Sequence, residues 1–436
     1  MTTKTNVNTE DRYKYLYPST AEVMKKYDHE QLFVQKDLKI NVYENAVVLP
    51  GAYRPSSIYP LGCVVYDGNC VEGTGWSADG RDFSYDYSDC EYFDTDVIYL
   101  GYFGMVYGHR ITDCLKHTWA FLDPGIEESV DSGKLKMVYI STKPVSKNEE
   151  EILSYLGIDL QKAERVLRPT KFRSVTVAEP SFFRDLSLGV TRGFCYSTQL
   201  YKETVDKIIE SALKTCPVKG DKKIYFTRTK LRSKKDFGEK SIVKEFKKLG
   251  FKIIAPEQLS LAEQISYLQG CDVFAATFGS VSHNAMFQKD GASNIVLLKA
   301  THMDYQMFIE RMRNLNAVYI DSNLSLICKK RGNEGPFFLY SNKYFCDYFD
   351  AKKRLFPFSA FKRYLRNMNV LICRGDKEQI KQYTELNPDY LNALAEEMDE
   401  LKSGVTAKLN KIIPFSSTNF GQRVVRALTW RIIYYS

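Results

Sequence analysis

Between residues 222 and 300 the chain alternates short apolar runs with amphipathic ones, and few folds accept that pattern. KKIYFTR (222–228), FKIIAP (251–256), CDVFAAT (271–277) and NIVLLKA (294–300) read as strands buried on both faces. GEKSIVKEFKKLG (238–250) and LSLAEQISYLQG (259–270) have helical spacing. Gly250 stops the first, and Ser260 with Glu263 opens the second as a capping box. Residues 280–288 read as a third helix. This alternation predicts a parallel, doubly wound sheet.

The first half alternates less regularly. Residues 1–30 read as a polar lead-in with a short helix, 37–60 as strands and turns, and 61–95 as turns or a long loop rich in Gly, Asp and Tyr. VIYLGYF (97–103) and LKMVYIST (135–142) read as strands. GHRITDCLKHTWAFLD (108–123) and EEEILSYLGI (149–158) read as helices. An extended stretch (166–183) and an amphipathic helix (198–215) follow. Beyond residue 315, residues 377–413 give one or two helices broken near Asn387-Pro388, and FGQRVVRALTWRIIYY gives a short basic helix. A chain of 436 residues, at about 150 per domain, divides into two or three parts. The expected division is an α/β domain over 1–197, a Rossmann-like α/β domain over 198–345 and a helical segment over 346–436.

Composition removes several classes. Hydrophobic residues make up 44% of the chain and aromatics 14%, enough for large cores and too much for disorder. A net charge of +8, from 61 basic and 53 acidic residues, is spread too evenly for a nucleic-acid interface. The first ten residues carry no apolar signal core, and no run of 18 apolar residues occurs. The ten cysteines form no C-x-x-C pair. A cytoplasmic protein with reduced thiols is the expectation.

Four constellations could carry chemistry. The turn Phe278-Gly279-Ser280-Val281-Ser282-His283-Asn284 lies between a buried strand and a helix, where free N–H groups bind anions. Gly279 admits a phosphate, and Ser280, Ser282, His283 and Asn284 add side-chain groups; an ordinary capped turn is the alternative. Arg228 ends the first strand of this half and is followed by Lys230, Arg232, Lys234 and Lys235. Its guanidinium matches phosphate oxygens, while the lysines fit equally a solvated loop. His109 and Asp113 stand four residues apart on one helical face, as a general base and its carboxylate or as a structural pair. A single metal site using His109, Asp113 and His117 is disfavoured, because on one helix the two histidines would be about 12 Å apart. Asp94-Thr95-Asp96 has the form of a metal-holding Asp-x-Asp, but it precedes its strand instead of following it. No metal site is assigned.

In this order the motifs resemble those of glycosyltransferase family 61. The family's Gly-His-(apolar)2-x-Asp-x-Leu run with a later Trp corresponds to Gly108-His109, Asp113, Leu115 and Trp119, with Arg110 interrupting the apolar pair. Leu156-Gly157-Ile158, Thr227-Arg228, Lys234-Lys235, Gly238-Glu239, Gly250-Phe251, Pro256-Glu257, Glu263-Gln264 and Phe278-Gly279-Ser280 with Asn284-Ala285-Met286-Phe287 follow in family order. Three positions depart from it. Phe278 replaces a His, His283 a Thr and Gly238 an Asn. The resemblance covers roughly residues 95–300. It implies a GT-B architecture, two Rossmann-like domains facing across a cleft, and an inverting transfer from a nucleotide sugar, commonly a UDP-sugar, without a metal or other cofactor. It implies His109 as base with Asp113, and a donor site at Arg228, Lys234, Glu257, Gly279, Ser280, Val281, Ser282, His283 and Asn284.

From Lys402 to Ser436 there are six basic residues and no acidic one. The basic, Trp-bearing helix over 416–436 fits an anionic membrane surface or a terminal helix packed back on the N-terminal domain. The resulting expectation is a hexosyl- or pentosyltransferase of bacterial surface polysaccharide synthesis, capsule or lipopolysaccharide, acting on a glycan acceptor carried on lipid or free. It is cytoplasmic or peripheral at the inner face of the membrane. The alternatives are a non-catalytic nucleotide-sugar or glycan scaffold, kept open by Phe278, and another glycan-modifying transferase such as a pyruvyl- or phosphoglycosyltransferase.

Overall fold

The computed structural model describes residues 11–28, 32–51, 62–75, 90–185, 194–231, 236–299, 304–324, 327–329, 336–352, 356–374, 384–386, 388–412 and 417–434. After a helix α1 (Pro18–Tyr27), the first half builds a large mixed sheet, beside a small three-stranded one of Phe33–Val34, Phe182–Asp185 and Phe194–Thr198. The strands of the large sheet are β1 (Ile40–Glu44), β2 (Val47–Val48), β3 (Val64–Tyr66), β4 (Asn69–Cys70), β5 (Glu91–Phe103), β6 (Lys136–Ser141), β7 (Glu164–Val166) and β8 (Thr170–Ala178). The spatial order is β4-β3-β2-β8-β5-β6-β7, with β1 also paired to β8. β8, β5, β6 and β7 run parallel, and the remaining strands are antiparallel additions. β5 begins at Glu91, so part of the stretch expected to be loop is strand.

Helix α2 (Gln199–Thr215) leads into the second sheet, formed by β9 (Lys223–Phe226), β10 (Lys252–Ile254), β11 (Val273–Thr277), β12 (Ser293–Leu297) and β13 (Asn316–Ile320). All neighbours are parallel, in the order β10-β9-β11-β12-β13. This is the doubly wound arrangement read from the sequence, with α3 (Glu239–Lys248) and α4 (Leu261–Gly270) as crossovers and β13 as an added fifth strand. The strand order is the flavodoxin-like one, and its topological switch point falls between β9 and β11. In the first sheet the parallel strands lie in the order β7-β6-β5-β8, and the corresponding switch point falls between β5 and β8.

Strand residues alternate between two cores. Ile98 and Leu100 of β5, with Ile224 and Phe226 of β9, face one shared apolar layer that also holds Val205 and Ile208 of α2 and Ile265 and Leu268 of α4. Val97 and Tyr99 face the other side of the first sheet, and Tyr225, Ala275 and Ile295 the other side of the second. The halves also exchange a cap: Glu151 accepts from the amides of Leu261 (3.0 Å) and Ala262 (3.4 Å) at the start of α4. The segment 11–17, first-half by chain order, lies on the second sheet. Arg12 pairs with Glu310, Tyr13 stacks on Tyr319, and the Asp321 amide donates to the Tyr15 carbonyl.

The run 108–123 is not the continuous helix its spacing predicts. A short α-turn, Tyr107–Arg110, is followed by 3-10 turns at Asp113–Leu115 and Thr118–Leu122. Tertiary donors take the carbonyls such a helix would use. The Tyr201 hydroxyl donates to the Ile111 carbonyl, and Ser181, through both its amide and its hydroxyl, to that of Lys116. The stretch 280–288 is likewise a six-residue 3-10 helix, Ser282–Phe287. Of the stretch 377–413, read as one or two helices, Thr384–Leu386 is a strand instead, and one helix, α6 (Pro388–Ile412), begins at Pro388; α5 (Phe358–Arg374) precedes them. The last helix, α7 (Asn419–Tyr434), packs on α6 through Val425 and Thr429. α6 in turn meets the N-terminal segment: Asp389 accepts from the Ser19 hydroxyl at 2.6 Å, and Tyr390 packs on Tyr17.

Gly238 begins α3 at φ +87°, and a Cβ there would collide with the Leu339 carbonyl oxygen. The Asn usual at this position in the resembled family has no room here. Gly238→Ala is expected to lower stability by about 2–5 kcal/mol, read as a shifted urea midpoint; an unshifted midpoint would show that Leu339 yields.

Candidate active site

β5 ends at its switch point, and the chain turns there through Gly104 at φ +81°. Glu149, 2% exposed, holds this turn by accepting from the amides of Gly104 (2.7 Å) and Met105 (3.3 Å). Arg110 adds a bond to the Met105 carbonyl (2.6 Å) and lies 3.4 Å from Glu149. The residue that interrupts the apolar pair of the motif thus locks the turn that presents His109. Glu149 had no signal in the sequence beyond its place in a capping box with Ser146.

His109 Nδ1 lies 2.7 Å from Asp113 Oδ2. The pair forms although no single helix joins the two residues. Asp113 also accepts from the Thr112 hydroxyl (2.9 Å) and the Tyr305 hydroxyl (3.0 Å). Burial raises its carboxyl, but His109, Thr112 and Lys116 outweigh that and hold it below the usual carboxylate range. Tyr305 also sets its ring edge-on to His109 at 5.5 Å. It lies far along the chain, in a stretch with no motif, so only the tertiary fold reveals it. His109 keeps about a quarter of its side chain exposed, whereas both nitrogens of His117 face carbonyl oxygens, of Ala178 and Gly73.

The second switch point lies directly against the first. A Cβ at Gly108 would lie 2.7 Å from the Ser280 hydroxyl and 3.3 Å from His283 Cδ2, so only glycine permits this approach. Tyr107 donates to Asn284 Oδ1 at 2.6 Å. On the far side of the turn, Gly279 takes φ +121°, and Arg228 Nη1 lies 4.0 Å from where its Cβ would be. The structure therefore brings His109, Asp113, Ser280, Gly279 and Arg228 into one region.

The other expected donor contacts are placed differently. The Ser282 hydroxyl bonds the Gly279 carbonyl, the Asn284 amide bonds the Val281 carbonyl, and Val281 is buried. His283 is buried beside Gln306, and burial pushes its imidazole down to about 4. Phe278 is a core residue whose ring lies edge-on to His283. Glu257 is exposed on the turn after β10, at the same end of the sheet as Arg228. Lys234 lies outside the described residues. Asp94 and Asp96 are both paired with Arg173.

Beside Arg228 opens a cavity of about 580 Å³ between the start of α3 and α5. Arg228 lies 3.5 Å from Asp236, which also binds Lys299 at 2.9 Å. Burial pushes the Lys299 amine down to about 8, against the pull of Asp236. Glu239 is buried and accepts from the Tyr225 and Thr227 hydroxyls and the Arg228 amide.

Residues 107–296 match the family model described as Glycosyltransferase 61. The match begins one residue before Gly108-His109 and ends within β12. It takes in both switch points and Arg228, though under half of the chain. It supports glycosyltransferase activity, and so a sugar donor and a glycan acceptor in general. No curated protein matches the chain. No described helix is long and apolar enough to cross a membrane.

The depressed His283 imidazole has a consequence for stability. Its folded value lies below the unfolded one, near 6.5, so as pH falls the unfolded chain takes the proton first. Stability should drop between pH 6.5 and 4, by on the order of 2–3 kcal/mol from this group. Urea midpoints measured across that range should fall less steeply for His283→Asn than for the parent. Parallel curves would remove His283 as the cause.

Proposed function

We propose that the chain is an inverting glycosyltransferase of GT-B type that moves a sugar from a nucleotide sugar, of the UDP class, to a glycan hydroxyl. One observation carries the reading: the His109–Asp113 pair, at the switch point of one sheet, is pressed against the turn at the switch point of the other. Ligands of doubly wound sheets sit beyond the carboxyl ends of strands at such points.

In this reading neutral His109 keeps its proton on Nδ1, toward Asp113, and its lone pair on Nε2. Nε2 takes the acceptor hydroxyl's proton as that oxygen bonds to the anomeric carbon. The bond from that carbon to the donor phosphate breaks on the opposite face, which inverts the centre. The electron pair leaves on the diphosphate, whose charge Arg228 and the backbone at Gly279 and Ser280 stabilise. The Arg228 guanidinium supplies the balancing positive charge, and the Asp94 and Asp96 carboxylates are engaged with Arg173, which supports a transfer without a metal. Ser282, Asn284 and His283 act as supports that shape the turn.

A role in bacterial surface polysaccharide synthesis on the cytoplasmic side of the membrane goes with this reading. On α7, Gln422, Arg423 and Arg426 are exposed while Val425 is covered by α6, so the helix offers its charges outward. The side chains of Phe420, Trp430, Ile432 and Ile433 lie outside the described residues. A contact with anionic lipid through the arginines is consistent with this placement.

His109→Ala should lower kcat by about 10²–10⁴ while leaving donor affinity within about twofold. Arg228→Ala should weaken UDP binding by about tenfold or more. Turnover with a donor panel and calorimetric titration of UDP read the two effects. Parent-level turnover in His109→Ala, or parent affinity in Arg228→Ala, removes that residue from its role.

A further inference from the structure

We propose that the cavity between α3 and α5 continues the donor's diphosphate site on the far side of Arg228 from Gly279, and that Arg363 of α5 is a further binding residue for it. This rests on the nucleotide-sugar reading above and goes beyond it. Arg363 lies well past residue 296, where the match to the family model ends.

The cavity is lined by Arg228, Lys240, Ser241 and Lys244 on one side and by Arg363 across from them. Its two carboxylates are already engaged. Asp236 faces Lys299 and Arg228, and Glu239 is bonded by two hydroxyls and an amide. Among the described residues no carboxylate pairs with Lys240, Lys244 or Arg363. Lys240 and Lys244 stand four residues apart on one face of α3, where like charges repel. Arg363 adds a third cation to the same space. Arg228 is about nine-tenths buried and spends one long contact on Asp236, leaving most of its five N–H donors for another acceptor. Such a convergence is favourable when a polyanion lies within it.

The helix geometry agrees. α3 is a ten-residue helix whose first turn borders the cavity, and its N-cap, Gly238, has no side chain to occupy that end. The turn after β11 leads only into a six-residue 3-10 stretch and spends its Ser282 hydroxyl internally. Glu239 stands in that first turn of α3, so the cationic side chains carry the site, and Arg228 borders both the cavity and Gly279. The volume, about 580 Å³, is in the range of small-molecule sites and suits a nucleoside diphosphate.

The test is calorimetric titration of UDP, GDP, CDP, dTDP and inorganic pyrophosphate into the full chain and into Arg363→Gln, Arg363→Lys and Arg228→Ala. Arg363 is exposed, and an unchanged melting temperature will show that its variants fold. The expected result is a loss of tenfold or more for Arg363→Gln, both with the best nucleotide and with pyrophosphate, and a smaller loss for Arg363→Lys. If Arg363→Gln binds like the parent while Arg228→Ala loses affinity, Arg363 is outside the site and the donor reading stands. A loss for the nucleotide but not for pyrophosphate overturns the seating of the diphosphate. If the parent binds none of the four nucleotides, the donor reading and this inference both fail.

Discussion

The two halves meet where the Gly108 backbone comes up against Ser280, and the candidate active site depends on that approach. Each sheet, by its own topology, leaves a crevice at the carboxyl ends of its strands. A side chain at residue 108 would force the crevices apart. With hydrogen there, Tyr107 reaches Asn284, Tyr305 reaches Asp113, and His109 is held between elements from both halves. The Gly-His step thus joins a steric requirement to a chemical one in adjacent residues.

Charge is arranged in layers around this junction. Nearest His109 lies a carboxylate that accepts from three side chains, so the imidazole has a fixed partner and orientation. One strand further on, Asp236 sits between Arg228 and Lys299, which keeps the guanidinium in place without fully neutralising it. Beyond that, Lys240, Lys244 and Arg363 face the cavity, and among the described residues no carboxylate pairs with them. In the proposed reading this series runs from a proton acceptor to an anion site, the polarity a group transfer to a hydroxyl requires.

The second sheet was legible because its strands are buried on both faces and its helices on one, so the two periodicities separate cleanly over 222–300. The run 108–123 was not, because Tyr201 and Ser181 take backbone carbonyls there and override an apparent helix. At the site, Arg228, His109 and Asp113 carried local motifs. Tyr305 and Glu149 did not: each reaches its place by packing from an element distant in sequence, as Arg363 does in the proposed diphosphate site. The hydroxyl and amide groups of the 278–284 turn could serve either a ligand or the turn itself. In the fold, Ser282 and Asn284 bond within the turn.

The apolar layer shared through α2 also bears on motion. Phe226, Ile265 and Phe274 of the second sheet lie in the same cluster as Leu100, Phe103 and Trp119 of the first. Hinging one half away from the other would expose that layer to water, and the cost grows with every side chain uncovered. The two sheets are therefore packed as one frame across that layer, and the turn 278–284 is anchored in it through Phe278 and Val281.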